Sequence, residues 1–138
     1  MKGLATLIRA QSWRLEEMRR NLGELEGLRA DLERQGVELE QELKREQTMV
    51  AATGEYGFAY SAHANAVITR RHNLARSIAD IEVEIMKARD KVREAYQELR
   101  KFEITEERDQ MRIQAEEDRR ERIMLDDVGV ELHRRKSG

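Results

Sequence analysis

The chain has no proline and no cysteine, and only 4% of its residues are aromatic. Without proline, any break in a helix falls to glycine. Without cysteine there is neither a disulfide nor a thiolate metal site, which fits a reducing compartment. Charge of a single sign is missing as well: 26 basic and 28 acidic residues are well mixed and leave a net −2. That excludes the sustained basic stripe with which proteins neutralise nucleic-acid phosphates, so nucleic acid is not an expected partner. No stretch approaches the roughly 18 apolar residues of a membrane span. Near the start, Arg9 interrupts Leu4-Ala5-Thr6-Leu7-Ile8 before the apolar core of a signal peptide could form. The expectation is a cytosolic protein.

What is present is charge and helical periodicity. Charged residues make up 39% of the 138, and Ala, Glu, Lys, Leu and Arg dominate, a balance typical of coiled coils and long helices. A chain this polar could be disordered, but its apolar residues recur at helical spacing. In the first half, Leu4, Ile8, Leu15, Met18, Leu22, Leu25, Leu32, Leu39, Leu43 and Val50 hold one register in steps of three and four and their multiples. Gln11, Arg29, Gly36 and Glu46 fall in the same register; such polar or small seam residues lower stability but help fix which position lies opposite. Gly23 and Gly27 form a small-xxx-small pair, but Glu24 and Glu26 flank it, so the reading is a softened helix rather than a membrane dimer. The second half is more strongly apolar: Tyr60, Ala64, Val67, Leu74, Ile78, Ile81, Ile85, Ala88, Val92, Ala95, Leu99 and Phe102, with Arg71 the one charge in register.

The two phases do not continue through the stretch Thr53 to Tyr60, where Gly54 and Gly57 can supply turn geometry. The pattern predicts an all-α fold, a long antiparallel two-helix coiled-coil hairpin with a C-terminal helical overhang. It forms a single domain over residues 1–138, with a helix over about 4–52, a turn over about 53–59 and a helix over about 60–133. With the turn centred near residue 57, position i faces roughly position 114 − i, which sets Leu4 opposite the neighbourhood of Gln110. By the same rule Trp13 and Phe102 lie near one another and are expected in the core. Beyond about residue 110 the second helix has no partner within the chain. There Arg119, Arg120, Glu121 and Arg122 precede Ile123, Met124 and Leu125, then Val128, Val130 and Leu132. A lone helix is marginal in water and draws its stability from packing an apolar face, so this segment either frays or docks into a groove or pore of a partner.

Chemistry finds little footing. No Gly-rich phosphate motif is present, so nucleotide binding is not expected. His63, His72 and His133 do not fall at i, i+4 spacing, and a metal would need ligands from a partner. Glu106, Glu107, Glu116 and Glu117 read as solvated faces paired to arginine, since a general acid or base needs a pocket that a thin coil does not offer. The expectation is a non-enzyme with no cofactor, no metal and no small-molecule substrate. Tyr56, Phe58 and Tyr60 cluster at the hairpin tip and form either a cap on the coil or a contact patch.

Two elements near the C-terminal end carry a resemblance. Lys101-Phe102-Glu103-Ile104-Thr105-Glu106-Glu107-Arg108 is similar to the E-k-L-x-x-R element of the FliJ family of flagellar type III export proteins, with Glu103 and Arg108 matching and Thr105 in place of the usual leucine. Glu121-Arg122-Ile123-Met124-Leu125-Asp126-Asp127 resembles the family's later E-x-x-x-x-D-E element through Glu121 and Asp126, with Asp127 in place of glutamate. The resemblance implies a cytoplasmic antiparallel coiled coil whose joined termini enter the pore of the hexameric export ATPase, as the central stalk does in rotary ATPases. It implies further contacts with the cytoplasmic domain of the export-gate membrane protein and with export chaperones. The protein would then lie at the cytoplasmic face of the inner membrane, at the flagellar base, and serve flagellum assembly, motility and chemotaxis. On that reading Glu103, Arg108, Glu121, Ile123, Met124 and Asp126 form the ATPase end, and Tyr56, Phe58 and Tyr60 a second contact. The competing readings are a structural homodimeric coiled-coil scaffold and the equivalent stalk of a virulence secretion system.

Overall fold

A computed structural model describes residues 2–53 and 58–137, with side chains described except at residues 2, 53 and 58–61. Two helices account for all of the described residues, α1 (Lys2–Thr53) and α2 (Phe58–Ser137). Local charge order favours both. In Glu16–Arg19, Asp31–Arg34, Glu84–Lys87, Asp90–Arg93 and Glu98–Lys101 the acid precedes the base by one turn, the order that agrees with the helix dipole. Arg134, Arg135 and Lys136 occupy the last turn of α2, where cations are also favoured.

Contacts divide the chain into two units, one of Trp13–Ala95 and one of Met1–Ser12 with Tyr96–Gly138. In the first, α1 and α2 pack antiparallel along the predicted seam. Leu15, Leu39, Val67, Ile85, Ala88 and Ala95 are buried, and Met18, Leu22, Leu25, Arg29, Leu32, Gly36, Leu43, Glu46 and Val50 are half-buried. The register is visible in the charged and polar pairs between the helices: Glu26–Arg89, Arg29–Glu82, Glu40–Arg71 and Glu46–His63. Partner numbers in these pairs sum to between 109 and 115, close to the expected 114 but centred slightly nearer α1.

Trp13 departs from expectation: it is 80% exposed. It stands two residues before the seam residue Leu15, about 200° round the helix, so the seam turns it away from α2. Gly23, Gly27 and Gly36 have open space where a Cβ would stand; the cost of glycine there is not offset by close packing.

In the other unit Leu4 is buried, and Ile8, Gln11, Leu99, Phe102, Glu103, Ile104, Glu106 and Asp109 are half-buried. After Asp109 the shielding ends. Every described residue from 110 to 137 is exposed except the half-buried Glu116, so the last 28 of them, roughly 40 Å of helix at 1.5 Å per residue, form an overhang.

Candidate partner-binding end

Helical geometry sets how the overhang presents its side chains. Glu121, Met124, Leu125, Val128 and Leu132 follow i, i+3, i+4, i+7 and i+11 and share one stripe. Met124, Leu125, Val128 and Leu132 are 51 to 67% exposed along it. Ile123 and Val130, 47% and 67% exposed, lie seven residues apart on another face. Ile123 is therefore about 160° from Leu125 at roughly 100° per residue. Of the two predicted apolar contacts, only Met124 belongs to the main stripe. The overhang thus bears apolar side chains on opposite sides.

The motif charges repeat along the same helix. Glu103 and Glu121 are 18 residues apart, as are Arg108 and Asp126, and 18 residues make about five turns. Each like-placed pair stands on one line, and the two lines are about 140° apart. Glu103 is half-buried at the end of the paired region; Arg108, Glu121 and Asp126 are exposed. Thr105, where the motif usually has leucine, turns its hydroxyl back to donate to the Lys101 carbonyl at 2.9 Å, which satisfies a polar side chain in mid-helix.

Charges around them are occupied within the chain. Arg112 pairs with Asp109 at 3.4 Å, Glu107 with Arg100 at 3.3 Å, and Glu131 with Arg134 and Arg135. Glu116 holds Arg119 at 2.8 Å and Arg120 at 3.5 Å. Hydrogen bonds from Arg119, then its charge, hold the Glu116 carboxyl below the ordinary 4.5, with Arg120 adding to the effect, and the same contact raises Arg119. By contrast Glu103, Arg108, Glu121 and Asp126 have no ion-pair partner among the described residues, as is also true of Arg122 and Asp127. Spacing alone does not reveal this: Arg122 and Asp126 stand at i, i+4 yet do not pair.

The sequence model of the family described as Flagellar FliJ protein matches residues 1–138. The chain belongs to that family. No curated protein and no solved structure matches it. Membership makes it a component of the flagellar type III export apparatus. Among the described residues, no helix of this FliJ-family chain is long and apolar enough to cross a membrane. Of the other residues expected to bind partners, Tyr56 and the side chains of Phe58 and Tyr60 lie outside the described residues.

Proposed function

We propose that this chain is a non-enzymatic stalk that couples the hexameric flagellar export ATPase to the cytoplasmic domain of the export-gate membrane protein and escorts export chaperones. In this reading it works in the cytoplasm at the inner-membrane face of the flagellar base, and flagellum assembly, motility and chemotaxis depend on it. The terminal end enters the ATPase ring, where Glu103, Arg108, Glu121, Ile123, Met124 and Asp126 make contact. Tyr56, Phe58 and Tyr60 serve as the second contact.

The observation that carries the reading is the all-round character of the overhang. A helix made for a groove keeps its apolar residues on one stripe. Here Leu125 and Ile123 stand on nearly opposite sides; the unpaired Glu121 shares the stripe of Leu125, and the unpaired Arg108 and Asp126 stand on a further line. An occupant enclosed by a ring has use for every face.

The test is co-purification of the export ATPase with the full chain, with a chain ending at Arg119, and with Leu125→Glu and Ile123→Glu. Truncation is expected to abolish capture and motility. Each charge substitution is expected to weaken binding at least tenfold, about 1.4 kcal/mol. Loss at Leu125 alone points to a groove, and capture that survives truncation overturns the assignment.

A further inference from the structure

Within the unit of Trp13–Ala95 the packing of α1 on α2 assembles donors that lie apart in the sequence. Glu42 and Glu46 are one turn apart on α1, and His63 comes from α2. One oxygen of each carboxylate and one ring nitrogen of the imidazole all lie within 4.8 Å of one another. His63 Nε2 is closed off from water and makes no well-formed hydrogen bond, although it abuts the Oε2 of Glu46. Glu42 is exposed and has no ion pair among the described residues; Arg70 lines the same surface groove without reaching it.

We propose that Glu42, Glu46 and His63 form a zinc site bridging the two helices. One imidazole nitrogen and two carboxylate oxygens are a donor set that zinc accepts, at bond lengths of roughly 2.0–2.2 Å. Bound tetrahedrally, such donors stand about 3.4 Å apart. Small side-chain rotations reach that spacing: Glu46 and His63, now in contact, part slightly, and the exposed carboxylate of Glu42 is free to swing in. The two carboxylates neutralise the dication, and water completes the fourth position from the solvent side. A hard cation such as magnesium suits the site less well, because it takes oxygen donors in octahedral geometry. The metal would clasp α1 to α2 near their connection, beyond the buried Leu39 and Val67, where the seam residues Leu43, Glu46 and Ala64 are only half-buried. Histidine spacing does not reveal the site, since two of its three ligands are glutamates on the opposite helix.

The test is calorimetric titration of the full chain with zinc chloride in chelator-free buffer, alongside Glu42→Gln and His63→Ala. One equivalent is expected to bind, each substitution is expected to weaken binding at least tenfold, and zinc is expected to raise the melting temperature of the unsubstituted chain only. Cobalt in place of zinc is expected to give the visible absorption of a four-coordinate nitrogen–oxygen site. Should His63→Ala lose helical circular dichroism, Glu42→Gln decides, because that side chain is exposed. Absence of stoichiometric zinc binding overturns the proposal. So does undiminished binding by Glu42→Gln, which would leave His63 as a contact of Glu46 alone.

Discussion

Arg29, a charged residue in the seam of α1, places its guanidinium 3.2 Å from the carboxylate of Glu82 on α2 and 3.1 Å from Glu33 on its own helix. A cation in a coiled-coil seam weakens packing but penalises any register that leaves it unpaired. Arg71 repeats the device from the other side, bonding Glu40 of α1 at 2.5 Å. Arg29→Leu is therefore expected to raise the melting temperature while loosening register. Light scattering is expected to detect oligomers absent from the unsubstituted chain; a strictly monomeric variant would show that Arg29 does not set the pairing. Glu82→Gln, removing one partly exposed contact, is expected to cost less than about 1 kcal/mol.

The core is thin, with seven buried apolar side chains among the described residues, so each contributes a large share. Ile85 is 2% exposed, and Ile85→Ala is expected to destabilise by about 2–5 kcal/mol. Trp13→Ala removes a larger side chain from the surface and is expected to change stability by no more than about 0.5 kcal/mol. Thermal melts of the two variants check the contrast, and comparable losses would place Trp13 in the core after all.

Gly36 occupies a seam position with nothing within 4 Å of an added Cβ, beside an open notch lined by Val37 and Ile78. Gly36→Ala is expected to stabilise by about 1 kcal/mol through helix propensity. A denaturant midpoint that does not rise would mean that the notch needs to stay open.

Glu116 contributes an acid dependence to the overhang. Its folded pKa lies below 4.5 because of Arg119, so its help to the helix is in place above that pH. The help is lost as pH falls through the lowered value. Carboxyl resonances followed by NMR are expected to show Glu116 titrating at higher pH in Arg119→Gln. Identical titration in both chains would rule out the pairing in solution.

Amide hydrogen exchange should separate the two parts of α2. Residues beyond 110 are exposed on nearly every side and have only local ion pairs to hold their helix. Their exchange is expected to outpace that of residues 64–102 in the free chain, and the export ATPase is expected to slow it. Uniform protection along α2 in the free chain would indicate that the overhang has a partner already.

The seam was legible residue by residue. From Leu4 to Val50 every residue of the predicted α1 register is shielded, including the polar Gln11, Arg29 and Glu46. Periodicity reports which side of a helix avoids water, and in a two-helix coil that side is the whole core. Trp13 was misjudged because a pairing rule assigns a level along the helix but not a direction around it. The four charges of the candidate binding end, Glu103, Arg108, Glu121 and Asp126, were singled out by the resemblance to the family's two elements. That these four stay unpaired while Glu107, Asp109 and Glu116 find partners was not legible, because i, i+3 and i, i+4 opportunities outnumber the pairs that rotamers allow.

By itself, then, the sequence determined two helices, their seam and their antiparallel sense: the absence of proline, a sustained heptad and a glycine-marked phase break leave few alternatives. Only the tertiary structure decided which charges meet. Arg29 reaches Glu82, Arg71 reaches Glu40, and His63 comes to rest against Glu46 with Glu42 beside it. Those contacts join residues between 17 and 53 positions apart, and a contact at that distance exists only once the chain has turned back on itself.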